Sequence, residues 1–245
     1  NEILWFYDDG TEESLNGNAV SEFCEDRDGR IWIATENGGL NLFDPVTGKV
    51  ADFSDRSCNN IHALEIVGET LLIGTFSYGL DCMDLMTGKV TRYQNIPGDS
   101  TSICNNYVYA IHESSSGTIY VGTMSGLCTF DPDTGKFSKI DRFNNKFIYD
   151  INEDPEGNIW VAGKTDGIYV RFRDSKQWQH FTHDHDDPGS PMTDRFIRIY
   201  IDSAGDVWFC SEGAGICRYV GDGRFENYGC DEGLPAGIYF GILDD

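Results

Sequence analysis

"EDRDGRIWIATENGGLNLFDPVTGKV", residues 25–50, decides the fold, because nearly the same phrasing returns as "NEDPEGNIWVAGKTDGIYV" (152–170) and "IDSAGDVWFCSEGAGICRY" (201–219). A catalytic motif normally occurs once, whereas a phrase that recurs marks a structural unit. The small, mostly polar residue that ends each apolar run is Thr35, Thr75, Thr123, Gly163 or Ser211, at spacings of 40, 48, 40 and 48. Three residues before it stand Trp32, Leu72, Tyr120, Trp160 and Trp208, and directly before it Ala34, Gly74, Gly122, Ala162 and Cys210. Shortly after it a glycine precedes Leu or Ile: Gly39-Leu40, Gly79-Leu80, Gly126-Leu127, Gly167-Ile168 and Gly215-Ile216.

Each unit reads as four short strands. In the first, 20–25 is a strand, "DRDG" turns the chain, "RIWIAT" is a second strand, "ENGG" turns, "LNLFD" is a third, "PVTGK" turns, and "VADFS" is a fourth. Asp or Asn opening a turn and Gly closing it suit a type I turn followed by a left-handed residue, which also sets hairpin register. The period of a strand puts Trp32 and Ala34 on one face and Ile31, Ile33 and Thr35 on the other. Both faces are apolar, so the second strand is expected to be buried on both sides by neighbouring sheets, with the small residue admitting a neighbour beside the aromatic. Four-stranded antiparallel sheets packed in this way are the blades of an all-β β-propeller.

Five full units are expected at about 20–54, 61–94, 108–141, 147–182 and 197–228, within one propeller segment spanning 1–245. Partial blades are expected at 1–7, where "ILWFY" resembles a last strand, and at 239–245, where "IYFGILDD" resembles a first one. Two arrangements are open, a segment of a longer array and an intact five-bladed ring. The flanking fragments supply no middle strands to complete a blade and favour the first.

Composition narrows the function. The 245 residues carry 18 Lys and Arg against 41 Asp and Glu, a net charge of −23. Such a chain is repelled by nucleic acid and by anionic membrane surfaces, so neither is an expected direct partner. No apolar run has the length of a membrane span, and any anchor or targeting signal is expected outside this stretch. Five of the eight cysteines, Cys24, Cys82, Cys128, Cys210 and Cys217, fall in expected strands, where free Cys behaves as a small apolar residue. Cys58, Cys104 and Cys230 lie in or near loops and are free to pair in an oxidising compartment.

The turns "DRDG", "DPEG" and "DSAG" are too short for a calcium loop, which spreads its ligands over about twelve residues, and are read as turn chemistry. "HFTHDHDDPGSPMTDR", 180–195, gathers His180, His183 and His185 among acids, good ligand types for zinc. It reads as a polar loop with two prolines rather than a rigid frame, so these histidines are weak metal candidates and no metal or other cofactor is expected. No nucleophile elbow, phosphate loop or carboxylate pair stands out from the repeat, so no catalytic residue is assigned and the segment is not read as an enzyme.

The alternating spacing is more informative. The additional eight residues fall between units, in "DDGTEESLNGNA", "NIPGDSTSICNNY" and "HDHDDPGSPMTDR". Loops in that position share one propeller face with second-to-third-strand turns such as "FSYG" (76–79) and "KTDG" (164–167). Amides, carboxylates and aromatic rings on a concave face suit a hydroxyl-rich ligand. Candidate ligand-binding residues are Asn106, Tyr107, Asp194 and Arg195 from the loops, with Tyr78 and Lys164 from the turns.

The unit V-x-x-x-x-E-D-x-x-G-x-I-W-I-A-T-x-x-G-G-L-x-x-x-D-x-x-T-G resembles the two-component regulator propeller repeat. The joints "ESLNGNAV", "DSTSICNNYV" and "GLPAGIYFGILDD" resemble those of the sensor region of Bacteroidetes hybrid two-component systems. The resemblance covers essentially the whole chain. It departs at "EIVGETLLIGT", where the turn is shortened and Leu72 replaces Trp, and at "VGDGR", which replaces the TGK-type turn.

The resemblance implies a periplasmic sensor, part of an inner-membrane receptor with two seven-bladed propellers, an immunoglobulin-like domain, a membrane span, a histidine kinase and a DNA-binding response regulator. This chain then corresponds to about five blades of one propeller, the second. Its implied partners are an oligosaccharide ligand that induces polysaccharide-utilisation genes and a second copy of the full-length sensor. The family motif is scaffold and assigns no ligand residue. A protein-interaction scaffold and, further off, a propeller lyase are the alternative readings.

Overall fold

The computed structural model describes residues 6–11, 14–53, 58–235 and 237–242. They form five antiparallel four-stranded sheets and, as helix, only the short 3-10 turns Asp141–Phe143 and Cys230–Glu232. The first sheet comprises Val20–Glu25, Ile31–Thr35, Gly39–Asp44 and Lys49–Asp52, and the second Ile61–Val67, Thr70–Thr75, Gly79–Asp84 and Val90–Tyr93. The third comprises Val108–Glu113, Ile119–Thr123, Gly126–Asp131 and Lys136–Lys139, and the fourth Ile148–Glu153, Ile159–Gly163, Ile168–Arg171 and Gln179–Phe181. The fifth comprises Phe196–Ile201, Val207–Ser211, Ile216–Gly221 and Arg224–Tyr228. In each sheet the strands lie side by side in chain order.

Two compact units divide the chain: Asn1–Ile111 with Asp131–Ser138, and His112–Phe130 with Lys139–Asp245. In the first unit Trp32, Ala34 and Leu42 pack with Ile61, Leu64, Leu71 and Ile73 of the second sheet. In the second unit Trp160, Ala162, Ile168 and Val170 pack with Phe196, Ile199 and Phe209 of the fifth sheet. The small residue before the anchor works by contact. A Cβ on Gly74 would lie 2.8 Å from Val108 Cγ1, and one on Gly122 2.7 Å from Ile148 Cγ2, so the next sheet's first strand occupies that space.

Burial on both faces holds for Ile119–Thr123 and Ile159–Gly163, which are buried throughout. It does not hold in the first sheet, where Trp32, Ala34 and Thr35 are buried but Ile31 and Ile33 are half-buried. Nor does a strand form at the C-terminal fragment: Ile238 makes one bridge to Glu212, and 239–242 carry no ladder. A strand exists only by pairing, and the described residues offer no second partner there. Of the N-terminal fragment, Phe6 packs on Phe43 at 4.6 Å between ring centres. Residues 1–5 and 243–245 of these expected partial blades lie outside the described residues.

The repeated signature residues have identifiable tasks. The Thr35, Thr75, Thr123 and Ser211 hydroxyls, all buried, donate to the carbonyls of Gly39, Gly79, Gly126 and Gly215 at 3.0, 2.7, 2.8 and 2.7 Å. Gly163 has no hydroxyl and keeps only the backbone contact, its N–H donating to the Gly167 carbonyl at 2.9 Å as the Ser211 N–H does to Gly215 at 3.0 Å. Gly79 and Gly167 must be glycine: φ is +84° and +77°, and a Cβ would lie 2.1 Å from Tyr93 O and 2.2 Å from Phe181 O.

The Asp-x-x-Gly aspartates tie the turn to the core. Asp154 accepts the Asn158 N–H at 2.9 Å and the buried Trp160 indole N–H at 2.7 Å. Asp26 and Asp202 accept the Trp32 and Trp208 indoles at 3.1 and 2.8 Å. Where Tyr120 replaces Trp, Ser114 replaces Asp, and the Tyr120 hydroxyl is bonded by Arg171.

Cys24, Cys58, Cys82, Cys210, Cys217 and Cys230 are free thiols, so neither Cys58 nor Cys230 is paired. Burial pushes the Cys24 and Cys82 thiols up to about 12 and Cys210 up to about 11, which leaves them protonated and inert at neutral pH.

Candidate functional site

The site grows from an irregularity shared by the sheets. The first strands of the first, second, fourth and fifth sheets shift register between Val20 and Glu22, Ile61 and Ala63, Ile148 and Asp150, and Phe196 and Arg198. Each shift leaves one residue out of the ladder: Ser21, His62, Tyr149 or Ile197. Bulges of this kind re-aim a side chain and are frequent beside functional sites. At the same end of each sheet, the residue after the second strand donates its N–H to the residue before the first: Glu36 to Ala19, Phe76 to Asn60, Lys164 to Phe147 and Glu212 to Arg195.

The added loops reach this end. The Gly79 N–H donates to the Asn106 carbonyl at 2.8 Å, and the Gly167 N–H to the Asp194 carbonyl at 2.9 Å. A Cβ on Gly38 would lie 2.2 Å from Asn16 O, so the first loop seats equally closely on its turn. Ser14-Leu15, Ser102-Ile103 and Ser190-Pro191 occupy equivalent places, and Leu15 and Ile103 are buried.

In the first unit this end is aromatic. Phe76 meets Tyr107 edge-on at 4.8 Å, and His62 lies against Tyr109 at 4.7 Å and Phe76 at 5.5 Å. Burial lowers the His62 pKa, with the Glu36 carboxylate opposing, so the imidazole is neutral at pH 7. Tyr78 is 40% exposed and lies under the Arg92 guanidinium at 5.4 Å, while Arg92 is held by Asp81 at 2.6 Å.

In the second unit the same end is charged. Phe147 and Tyr149 stack at 5.7 Å, and the Lys164 ammonium sits 4.8 Å over the Tyr149 ring. Lys164 Nζ donates to Glu212 Oε1 at 2.9 Å, and Arg195 Nε to Glu212 Oε2 at 3.0 Å. These two hydrogen bonds hold the Glu212 carboxyl below its ordinary range. Beside them Lys146 pairs with Asp166.

Of the residues read from sequence, the structure therefore joins Lys164 to Arg195 through Glu212 and sets Tyr107 in the aromatic group. Asn106 and Asp194 each make a contact that closes their own loop. Their side-chain oxygens accept the backbone N–H of Asn95 and His183, each at 2.7 Å, as Asn18 accepts that of Asp8 at 2.8 Å. Four residues that the sequence reading did not name also stand at this end: His62, Tyr109, Tyr149 and Glu212. The signal that marks Glu212 is variation within the repeat: the position after the anchor reads Glu36, Phe76, Met124, Lys164, Glu212 while the frame around it recurs.

The histidine-rich stretch does not converge. His180 stacks on Tyr169 at 4.0 Å with Nε2 on the Asp166 carbonyl, and His183 Nδ1 lies 2.9 Å from the Pro191 carbonyl. Among the described residues no three His, Cys, Asp or Glu side chains are grouped to hold a metal ion. With His183 and His185, the loop lines an open cleft of about 670 Å³ that also includes Phe225, Glu226 and Tyr228.

The two-component regulator propeller family matches residues 14–37, 102–125 and 142–165. Histidine kinase P4 of Formosa agariphila is 34% identical over 82 residues, which cover 29% of this chain and 6% of the kinase. Among solved structures, the extracellular domain of a hybrid two component system from B. thetaiotaomicron superposes with a TM-score of 0.76 at 23% identity. That likeness covers 92% of this chain and 31% of that one. Virginiamycin B lyase from Staphylococcus aureus gives a TM-score of 0.67 at 14% identity, over 86% of this chain and 70% of the lyase. At these identities the structural likeness shows the β-propeller fold, and the chain spans only a small part of the kinase.

Proposed function

Because the chain carries two-component regulator propeller repeats, we propose that it is a ligand-sensing propeller segment of an extracytoplasmic two-component receptor, and that its ligand is an oligosaccharide. The observation that supports this reading is the bulged end of the sheets, where repetition stops. There the loops seat on the turns, and rings stand beside polar and charged groups: Phe76, Tyr107 and Tyr109 in one unit, Phe147, Tyr149, Lys164 and Arg195 in the other. Rings offer a face to a sugar ring, and charged groups satisfy its hydroxyls.

The segment binds and does no chemistry of its own. Binding acts by favouring one arrangement of the receptor over another, since a ligand of equal affinity for both shifts nothing. The receptor dimer, the periplasmic placement and the control of polysaccharide-utilisation genes belong to this same reading.

A thermal-shift panel of defined oligosaccharides tests it. A ligand at one hundred times its dissociation constant stabilises by about 2.7 kcal/mol. A shift confined to one glycan class, lost in Tyr149→Ala and Tyr107→Ala, is the expected result. A flat panel on correctly folded protein overturns the reading and favours an interaction scaffold.

A further inference from the structure

The charged group in the second unit reverses the habit of the chain. With 41 acids to 18 Lys and Arg, cations are outnumbered. Accordingly Arg30 holds both Asp26 and Asp28, and Arg218 holds both Asp206 and Glu226. At Glu212 the ratio inverts, and two cations share one carboxylate. The group Lys164, Arg195 and Glu212 therefore carries a net positive charge of one in a chain of net charge −23.

The three side chains are not sealed in. Arg195 is 56% exposed, and Lys164 and Glu212 are 21% and 25% exposed. Lys164 is held over the Tyr149 ring, which stacks on Phe147. They also come from separate segments: Lys164 follows the second strand of the fourth sheet, Arg195 precedes the first strand of the fifth, and Glu212 follows its second. A guanidinium offers a planar fork to a carboxylate or a sulfate, and an ammonium offers a point charge beside it.

Resting on the oligosaccharide reading above, we propose that the ligand is acidic, and that Lys164 and Arg195 bind its carboxylate or sulfate ester while Glu212 holds that place in the free protein. Glu212 is then an internal competitor. It keeps the two cations aimed when no ligand is present and yields one or both when the ligand's anionic group arrives on the ring platform. The sign of a substitution at Glu212 follows: removing its charge strengthens the binding of an acidic sugar, whereas removing either cation weakens it. A clamp that merely ties two sheets together would weaken binding from either side.

The test uses this chain with uronate-containing oligosaccharides, their carboxyl-reduced forms, sulfated oligosaccharides and their desulfated forms, followed by calorimetry. The expected result is binding of a uronate or a sulfated member at least about tenfold tighter than its neutral counterpart, the two arms separating the sources of the anion. Lys164→Met and Arg195→Gln weaken that binding, and Glu212→Gln strengthens it. Should the variants fold poorly, the wild-type protein decides: affinity for the acidic member falls as NaCl rises, and affinity for the neutral member does not.

Equal affinity for acidic and neutral members overturns the proposal and leaves oligosaccharide sensing standing, as does Glu212→Gln weakening binding along with Lys164→Met. No binding by any member overturns the sensing reading beneath it.

Discussion

At the residue scale, a few polar contacts inside apolar surroundings explain why a signature recurs. Trp160 is 1% exposed, so its indole N–H needs an acceptor within the protein, and Asp154 supplies one six residues earlier. The same carboxylate also closes the hairpin through the Asn158 N–H and side-chain amide. Turn and core are thus coupled by one residue, which is why Asp and Trp travel together while Ser114 accompanies Tyr120, whose hydroxyl reaches a different partner. Asp154→Ala should destabilise by about 2 kcal/mol, because it strands a buried donor as well as loosening the turn. Combined with Trp160→Phe, which removes that donor, the two losses should sum to more than the double variant shows. Urea unfolding of the four proteins in the cycle measures this, and strict additivity would show that the indole contact carries no energy.

At the element scale, sheets and loops differ in how legible they are. Strand positions could be read from sequence because pleat period, turn glycines and anchor hydroxyls act between residues close in the chain, such as Thr75 and Gly79. The loops could be placed but not interpreted. Asn106 and Asp194 look like ligand residues in a polar loop, yet each closes its own loop by accepting an amide eleven residues back. The bulges that turn His62 and Tyr149 out of the ladder leave no mark in the hydrophobic pattern, since register depends on the partner strand. The pairing of Lys164 with Glu212 spans 48 residues, one full repeat, and is invisible to any local reading. Because Asn18, Asn106 and Asp194 fill one role, an amide or a carboxylate oxygen suffices. Asn106→Asp and Asp194→Asn should therefore keep the loops closed. Asn106→Ala and Asp194→Ala should cost about 1 kcal/mol each and speed exchange of the Asn95 and His183 amides. Amide exchange that is unchanged in the alanine variants would show that these contacts do not hold the loops closed.

At the scale of the whole molecule, two electrostatic effects oppose each other below neutral pH. Self-repulsion at a net charge of −23 eases as carboxylates protonate towards the isoelectric point near 4.3, which favours the folded state. Each compact unit also holds a histidine whose Nε2 is buried without a hydrogen-bond partner, His62 in one and His112 in the other. Burial depresses both pKa values, against the opposing pull of Glu36 and Glu153. The unfolded chain takes up these protons near 6.5 and the folded protein only at lower pH. The unfolded state therefore binds more protons between those values, and stability falls as pH drops through that window. At pH ~5.5 each histidine held neutral costs at most about 1.4 kcal/mol. In ~0.5 M NaCl, where the Debye length is only about 4 Å, the repulsion is largely screened and the histidine effect should dominate. Unfolding free energy in that salt should then drop by up to about 3 kcal/mol between pH ~7.5 and ~5.5 in the wild type. The drop should shrink in His62→Gln with His112→Gln, whose side chains do not titrate. At low salt the same two proteins should differ by the same amount while acidification lowers the stability of both by less, because screening acts on the repulsion and not on the buried rings. An identical pH slope in the wild type and the double variant would mean that both imidazoles accept protons in place.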